Sequence, residues 1–239
     1  MSLARFDVAL VRADNPGPLT LSGTNTWVVG RDPAWVVDPG PALDAHLDAV
    51  AAEVAARGGA GGIALTHDHS DHSEGVEGLR RRFGGDVPVA AARTGTADGD
   101  EAGPLRALAL PGHSDDHLVF VAGRAAFTGD AVLGEGSVFV QGALARYLDG
   151  LRRLRALDLA VICPGHGPPV WDVAEHLDTY IAHRLDRERR LLAALGRGLR
   201  SEEELLDAAW DDAPAALRPA AALTLRAHLD KLRDEGRLV

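Results

Sequence analysis

The sequence predicts an α/β body over residues 1–172 and a helical unit over residues 173–239. Two patterns carry that division. Up to about residue 172, short β-branched and aromatic runs alternate with longer stretches of helical spacing. Beyond it the spacing is almost entirely helical. The size agrees: 239 residues, 46% hydrophobic and 25% charged, suffice for one large core plus an appendage without a disulfide scaffold.

Asn25–Gly30 (NTWVVG) and Trp35–Asp38 (WVVD) flank the turn Arg31–Pro33 and read as a hairpin. Pro41–Arg57 reads as a helix with Leu43, Leu47, Val50 and Val54 on one face, stopped by Gly58–Gly62. Ile63–Thr66 is a short buried strand, followed by the polar loop His67–Ser73 and a helix to about Arg82. Val87–Ala91, Leu105–Leu110, Leu118–Val121 and Ala125–Thr128 read as strands. Leu144–Leu157 is helical, Leu159–Cys163 is a strand, and Val173–Leu195 is a long amphipathic helix. Ser201 and Glu204 form a capping box that opens a helix to about Trp210. Pro219–Leu232 is a further helix, and Leu238–Val239 is a short apolar end. Helix, turn, helix and extended end together resemble a winged-helix module.

Composition excludes several classes. The lone Cys163 leaves no partner for an internal disulfide and no cysteine-rich metal module. No apolar run approaches the ~18 residues of a membrane span. The N-terminal VALV run is too short for a secretory leader, so a cytoplasmic location is expected. Residues 1–174 hold 14 Lys and Arg against 22 Asp and Glu, a net of −8, and the remainder holds 11 against 13. An acidic body repels a phosphate backbone, although bound dications reverse the sign locally.

The histidines carry the chemistry. Three of the ten lie in the run His67-Asp68-His69-Ser70-Asp71-His72, directly after a strand. In an extended loop, residues two apart point the same way, so His67 and His69 suit one metal. Asp71 and His72 then begin a helix and point to a second position nearby. Pro111-Gly112-His113, Thr128-Gly129-Asp130 and Pro164-Gly165-His166-Gly167 each set a ligand-type residue just past a strand. Loops at one sheet edge converge, so the four segments are expected to build one site.

This pattern is similar to that of the metallo-β-lactamase superfamily, H-x-H-x-D-H followed by separate H, D and H. The resemblance implies a four-layer αββα sandwich with a two-metal site between the sheets. It implies His67, His69 and His113 at one metal, Asp71, His72 and His166 at the other, and Asp130 bridging. Asp38 in V-V-D-P-G matches a strand-end aspartate that supports the ligands, and His117 is expected to stand behind them. Thr24 and Asn25 are expected to line the substrate cleft. GTNTW at 23–27, PGHSDDH at 111–117, GDAVLGEG at 129–136, PGHGP at 164–168 and the helix YIAHR at 180–184 resemble the β-lactamase-like protein 2 subgroup. His183 and Arg184 themselves read as a solvated helix face, and His46, His176 and His228 are assigned no role.

Two metals roughly 3.5–4 Å apart share a water and lower its pKa towards ~7, giving hydroxide at neutral pH. Asp71 is expected also to accept a proton. The expected function is a metal-dependent hydrolase with two Zn²⁺, with Fe or Mn also compatible with the ligands. The subgroup resemblance implies endonucleolytic cleavage of single-stranded RNA. The alternatives are hydrolysis of a small thioester or ester, as in glyoxalase II, and a metal-containing DNA-binding protein without catalysis. A homodimer through the C-terminal helices is expected.

Overall fold

The computed structural model describes residues 2–238. One sheet has the order β1 (Val8–Arg12), β2 (Asn25–Val29), β3 (Ala34–Val37), β4 (Ala60–Ala64) and β5 (Val89–Ala90). The other runs from β6 (Glu101–Ala102) through β7 (Leu105–Ala109), β8 (Leu118–Ala122) and β9 (Ala125–Gly129) to β10 (Val161–Pro164). Each is mixed: β3, β4 and β5 pair in parallel, as do β9 and β10, and the other pairings are antiparallel.

The central strands β2, β3, β8, β9 and β10 are buried on both faces, which is why they read as continuous apolar runs rather than alternating ones. Trp27, Val29, Trp35 and Val37 of the first sheet meet Leu105, Phe120, Phe127 and Val161 of the second. On the outer face of the first sheet, Val28, Val36 and Ile63 pack on α1 (Asp44–Ala55) and α3 (Val76–Phe83). On the outer face of the second, Val119, Val121 and Ile162 pack on α4 (Leu144–Arg155) and the start of α5 (Val173–Gly196). The layers are therefore helix, sheet, sheet, helix.

Several details differ from the sequence reading. Leu43 precedes α1 and is exposed, while Leu47, Val50 and Val54 form its buried face. The helix expected after the histidine loop is two, a short α2 (Ser70–Ser73) and α3, parted near Gly75. A Cβ there would lie 2.8 Å from the Pro39 carbonyl oxygen. The VALV run, read only as too short for a leader, is the edge strand β1, and β6 has no apolar signal.

α5 belongs to two cores. Val173, Leu177 and Tyr180 pack with the second sheet, whereas Leu191 and Ala194 pack with α6 (Glu202–Ala209) and α7 (Arg218–Asp234). The capping box forms as expected: Ser201 Oγ accepts from the Glu204 N–H, and Glu204 Oε2 accepts from the Ser201 N–H at 3.0 Å. Arg237–Leu238 form no strand, and Val239 of the expected extended end lies outside the described residues.

His228 on α7 is fully buried, edge-on to Trp210, and neither ring nitrogen has a hydrogen-bond partner. Burial, with Arg184 and Lys231 nearby, lowers its pKa from 6.5 to about 3. Between those values the unfolded chain binds the proton and the fold does not, so stability falls as pH drops below 6.5. His228→Leu is expected to reduce the loss of stability between pH 7 and 5 by about 2 kcal/mol, measured by urea denaturation. An unchanged difference between the two pH values would contradict this.

Candidate metal centre

Strand ends deliver the site. β3 leads directly into Asp38, β4 into the His67 loop, β9 into Asp130 and β10 into the His166 loop, while β7 leads through Leu110–Gly112 to His113. Three overlapping groups result: His67, His69 and His113; His67, His72 and Asp130; and Asp71, His72 and His166. Within each, the candidate ligand atoms lie within 4.8 Å of one another.

The first three imidazoles meet at their nitrogens. His69 Nδ1 lies 3.0 Å from both His67 Nε2 and His113 Nε2. On the other side, Asp71 Oδ2 lies 3.2 Å from His166 Nε2 and 3.4 Å from His72 Nε2. Asp130 stands between. Its Oδ1 is 3.4 Å from His166 Nε2 and 3.5 Å from His72 Nε2, and its Oδ2 is 3.7 Å from His113 Nε2.

The ring orientations are fixed from behind. Asp38 is buried in a left-handed backbone conformation (φ 51°), which aspartate tolerates better than most residues. Its Oδ1 accepts from the Thr66 N–H at 2.8 Å, and its Oδ2 accepts from the Thr66 hydroxyl at 2.7 Å and from His72 Nδ1 at 3.0 Å. With its proton committed to Asp38, Thr66 Oγ1 accepts from His67 Nδ1 at 3.0 Å. Both rings thus turn Nε2 towards the site. His113 Nδ1 donates to the Phe139 carbonyl at 3.3 Å, and His166 Nδ1 to the Gly23 carbonyl at 3.4 Å.

Electrostatics divides the cluster. Burial holds His67 and His113 below the usual imidazole range, so these rings are neutral. His72 is raised well above it: burial opposes the charge, but the Asp130 and Asp38 carboxylates outweigh it. His166 is raised to about 9, because bonds to Asp130 and Asp71 outweigh burial. Asp130 is correspondingly held far below the usual carboxylate range by His72 and His166, against its burial.

The sequence-derived ligand residues all converge. His117 is buried and stacks on the His67 ring at 4.9 Å, with no hydrogen bond from either nitrogen, so it supports that ring by packing. Thr24 and Asn25, expected on the cleft wall, are instead fully buried and outside the cleft lining. Thr24 Oγ1 donates to Asp71 Oδ2 at 3.4 Å, and Asn25 Nδ2 donates to the Pro164 and Gly167 carbonyls that bracket His166. They brace Asp71 and the loop that carries His166.

Thr66 and Asn15 escape the sequence reading. Thr66 directly precedes the histidine run but is not one of the ligand-type residues. Asn15, which fixes Thr24 from both sides, has no local signal at all. Gly165 also matters: a Cβ there would lie 2.6 Å from Asp130 Oδ1 and 2.7 Å from His72 Cε1.

The cluster floors a cleft of about 420 Å³. Its walls are mainly apolar, with Leu19, Leu21, Leu133 and Phe139 from the body and Leu217 and Leu223 from the C-terminal unit. No helix of the described residues is long and apolar enough to cross a membrane.

Known proteins share this architecture. The profile described as Metallo-beta-lactamase superfamily matches residues 85–166, and that of the Beta-lactamase associated winged helix domain matches residues 201–239. A β-lactamase-like protein 2 homologue of Caenorhabditis elegans is 31% identical, over 96% of this chain and 85% of its own. An atrochrysone carboxyl ACP thioesterase of Aspergillus aculeatus is 33% identical, over 80% of this chain and 65% of its own. A metallo-β-lactamase family protein of Thermus thermophilus superposes with a TM-score of 0.71 at 26% identity, covering 96% of this chain and 94% of that one. The fold so matched implies a divalent metal at the histidine–aspartate cluster. Aligned with a relative along almost its whole length, the chain belongs to the metallo-β-lactamase superfamily of hydrolases and carries the winged-helix domain associated with it.

Proposed function

We propose that the protein is a two-zinc hydrolase of thioesters or esters with an apolar acyl group. The cleft wall carries this reading. Beside the polar floor it holds Leu19 and Leu223, two of the four exposed large hydrophobic side chains among the described residues. Its charged wall residue is Glu135, and no Lys or Arg lines it among the described residues. A polynucleotide would need cations along its phosphates. The name of the Aspergillus relative supports the same chemistry.

The donor set fits a metal pair. His72 Nε2 and Asp130 Oδ1 are buried without a hydrogen-bond partner, which is costly unless a cation takes their lone pairs. His67, His69 and His113 would hold one ion, Asp71, His72 and His166 the other, and Asp130 both. Imidazole and carboxylate together suit Zn²⁺. When bound, the ions supply a water nucleophile at neutral pH and polarise the scissile carbonyl. The chain's own residues do the rest. The Asp71 side chain is 27% exposed against 12% for Asp130, so it is the carboxylate that water reaches. Its pKa is held down by the His166 and His72 contacts, against burial, so it is ionised, and its exposure places it to take the proton from that water. Leu19, Leu223 and Phe139 receive the acyl group and exclude water.

The test is hydrolysis of octanoyl-N-acetylcysteamine by zinc-reconstituted protein, beside cleavage of an end-labelled single-stranded RNA. Thioester turnover by the wild type is expected, with loss of one zinc and at least a hundredfold loss of rate in Asp130→Ala. RNA cleavage without thioester turnover would overturn the substrate reading. Full activity of Asp130→Ala would overturn the ligand assignment.

Two variants probe the geometry further. Leu223→Asp is expected to lower kcat/KM for the octanoyl substrate about tenfold, some 1.4 kcal/mol, and to leave the acetyl analogue nearly unchanged. Gly165→Ala is expected to lower bound zinc, measured by elemental analysis, because its Cβ would displace Asp130 and His72. Normal zinc content in that variant would refute the role of the glycine.

A further inference from the structure

A second cavity of about 470 Å³ adjoins the cleft and shares with it the segment Gly136–Phe139 and Leu217. Its far side is formed by α5 and by residues 210–217 of the C-terminal unit. None of the candidate metal ligands lines it. The volume is in the range that holds a whole small molecule.

Arg184 is its unusual feature. The sequence placed this residue on a solvated helix face, yet it is 2% exposed and lines the cavity. Its Nη2 donates to Ser137 Oγ at 3.0 Å and to the Val138 carbonyl. Its guanidinium lies over the Tyr147 ring at 5.7 Å. Its Nε is buried without a partner. Among the described residues no carboxylate lies within salt-bridge distance of it. A buried cation is normally paired, and this one is not.

The other charges do not compensate. Arg187 is already matched by Asp212, at 2.6 and 2.7 Å. His183 contributes no charge at neutral pH, because burial and then Arg184 and Arg187 push it down to about 4. The cavity therefore carries a net positive charge in a chain whose formal net charge is −10. The rest of its wall is largely apolar, with Val138, Phe139, Trp210, Pro214 and Leu217.

We propose that this cavity is a second ligand site, distinct from the metal cleft, for an apolar carboxylate whose charge pairs with Arg184. The acid released by thioester hydrolysis has this chemistry. That link rests on the proposed reaction, whereas the site rests on its own residues.

The experiment is calorimetric titration of the zinc-reconstituted protein with octanoate and, as the uncharged counterpart, octan-1-ol. The wild type is expected to bind octanoate at least tenfold more tightly than the alcohol, and Asp130→Ala is expected to keep that preference. Arg184→Met is expected to erase it. Ala213→Trp, which adds bulk to the cavity and leaves the arginine in the sequence, is expected to abolish binding of both. Equal affinity for the two ligands in the wild type would overturn the proposal. So would octanoate binding that survives Ala213→Trp, or that is lost in Asp130→Ala and kept in Arg184→Met, since the carboxylate would then sit on the metal centre. Thioester turnover without octanoate binding would overturn the second site alone. Selective octanoate binding without turnover would leave the site standing and remove the substrate reading.

Discussion

One buried carboxylate holds the metal centre in shape. Asp38 gathers three donors from the loop after β4 and from α2: the Thr66 amide, the Thr66 hydroxyl and His72 Nδ1. Through the hydroxyl it also sets His67, which it does not touch. A single acceptor thus turns one ring of each half of the cluster towards the same small volume. The cost of burying that charge is met by hydrogen bonds to groups that themselves needed partners. The position of Asp38 follows from its place at the end of β3, between the turn at Pro39-Gly40 and the parallel neighbour β4.

The convergence of the histidines and aspartates is legible because each segment sits just past an apolar strand and three histidines are crowded into one loop. Elements buried on both faces were legible for the same reason, since continuous apolar runs leave little ambiguity. The edges were not. β1 looks like a short apolar stretch at a terminus, and Glu101–Ala102 is a two-residue pairing with no apolar run. The roles of Thr24, Asn25 and Arg184 also escaped, because burial of a polar side chain depends on what folds over it. Nothing near Arg184 announces that Ser137 and Val138 will close on it across 46 to 47 residues.

The cleft is a joint construction. Its floor comes from the sheet edges, but part of its wall is carried by Leu217, Ala220 and Leu223 of the C-terminal unit. Thr224 reinforces the junction, accepting from the Val140 amide at 3.1 Å. The chemistry of the floor is common to the superfamily, whereas the shape offered to a substrate is set by what stands above it. The C-terminal helices therefore bear on selectivity whether or not they bind anything of their own.

α5 gives that arrangement a further meaning. Its first turns lie in the core of the second sheet, where the Tyr180 hydroxyl accepts from the Leu133 amide at 2.9 Å, and its last turns lie in the core of the C-terminal unit. A continuous helix is a ruler rather than a tether. Inserting or deleting one residue within it would rotate everything beyond by about 100° and shift it by about 1.5 Å. Evolution can therefore alter the loops of the C-terminal unit freely, but it can lengthen the connection only in whole turns. The reach of the unit over the metal centre is quantised by helical geometry.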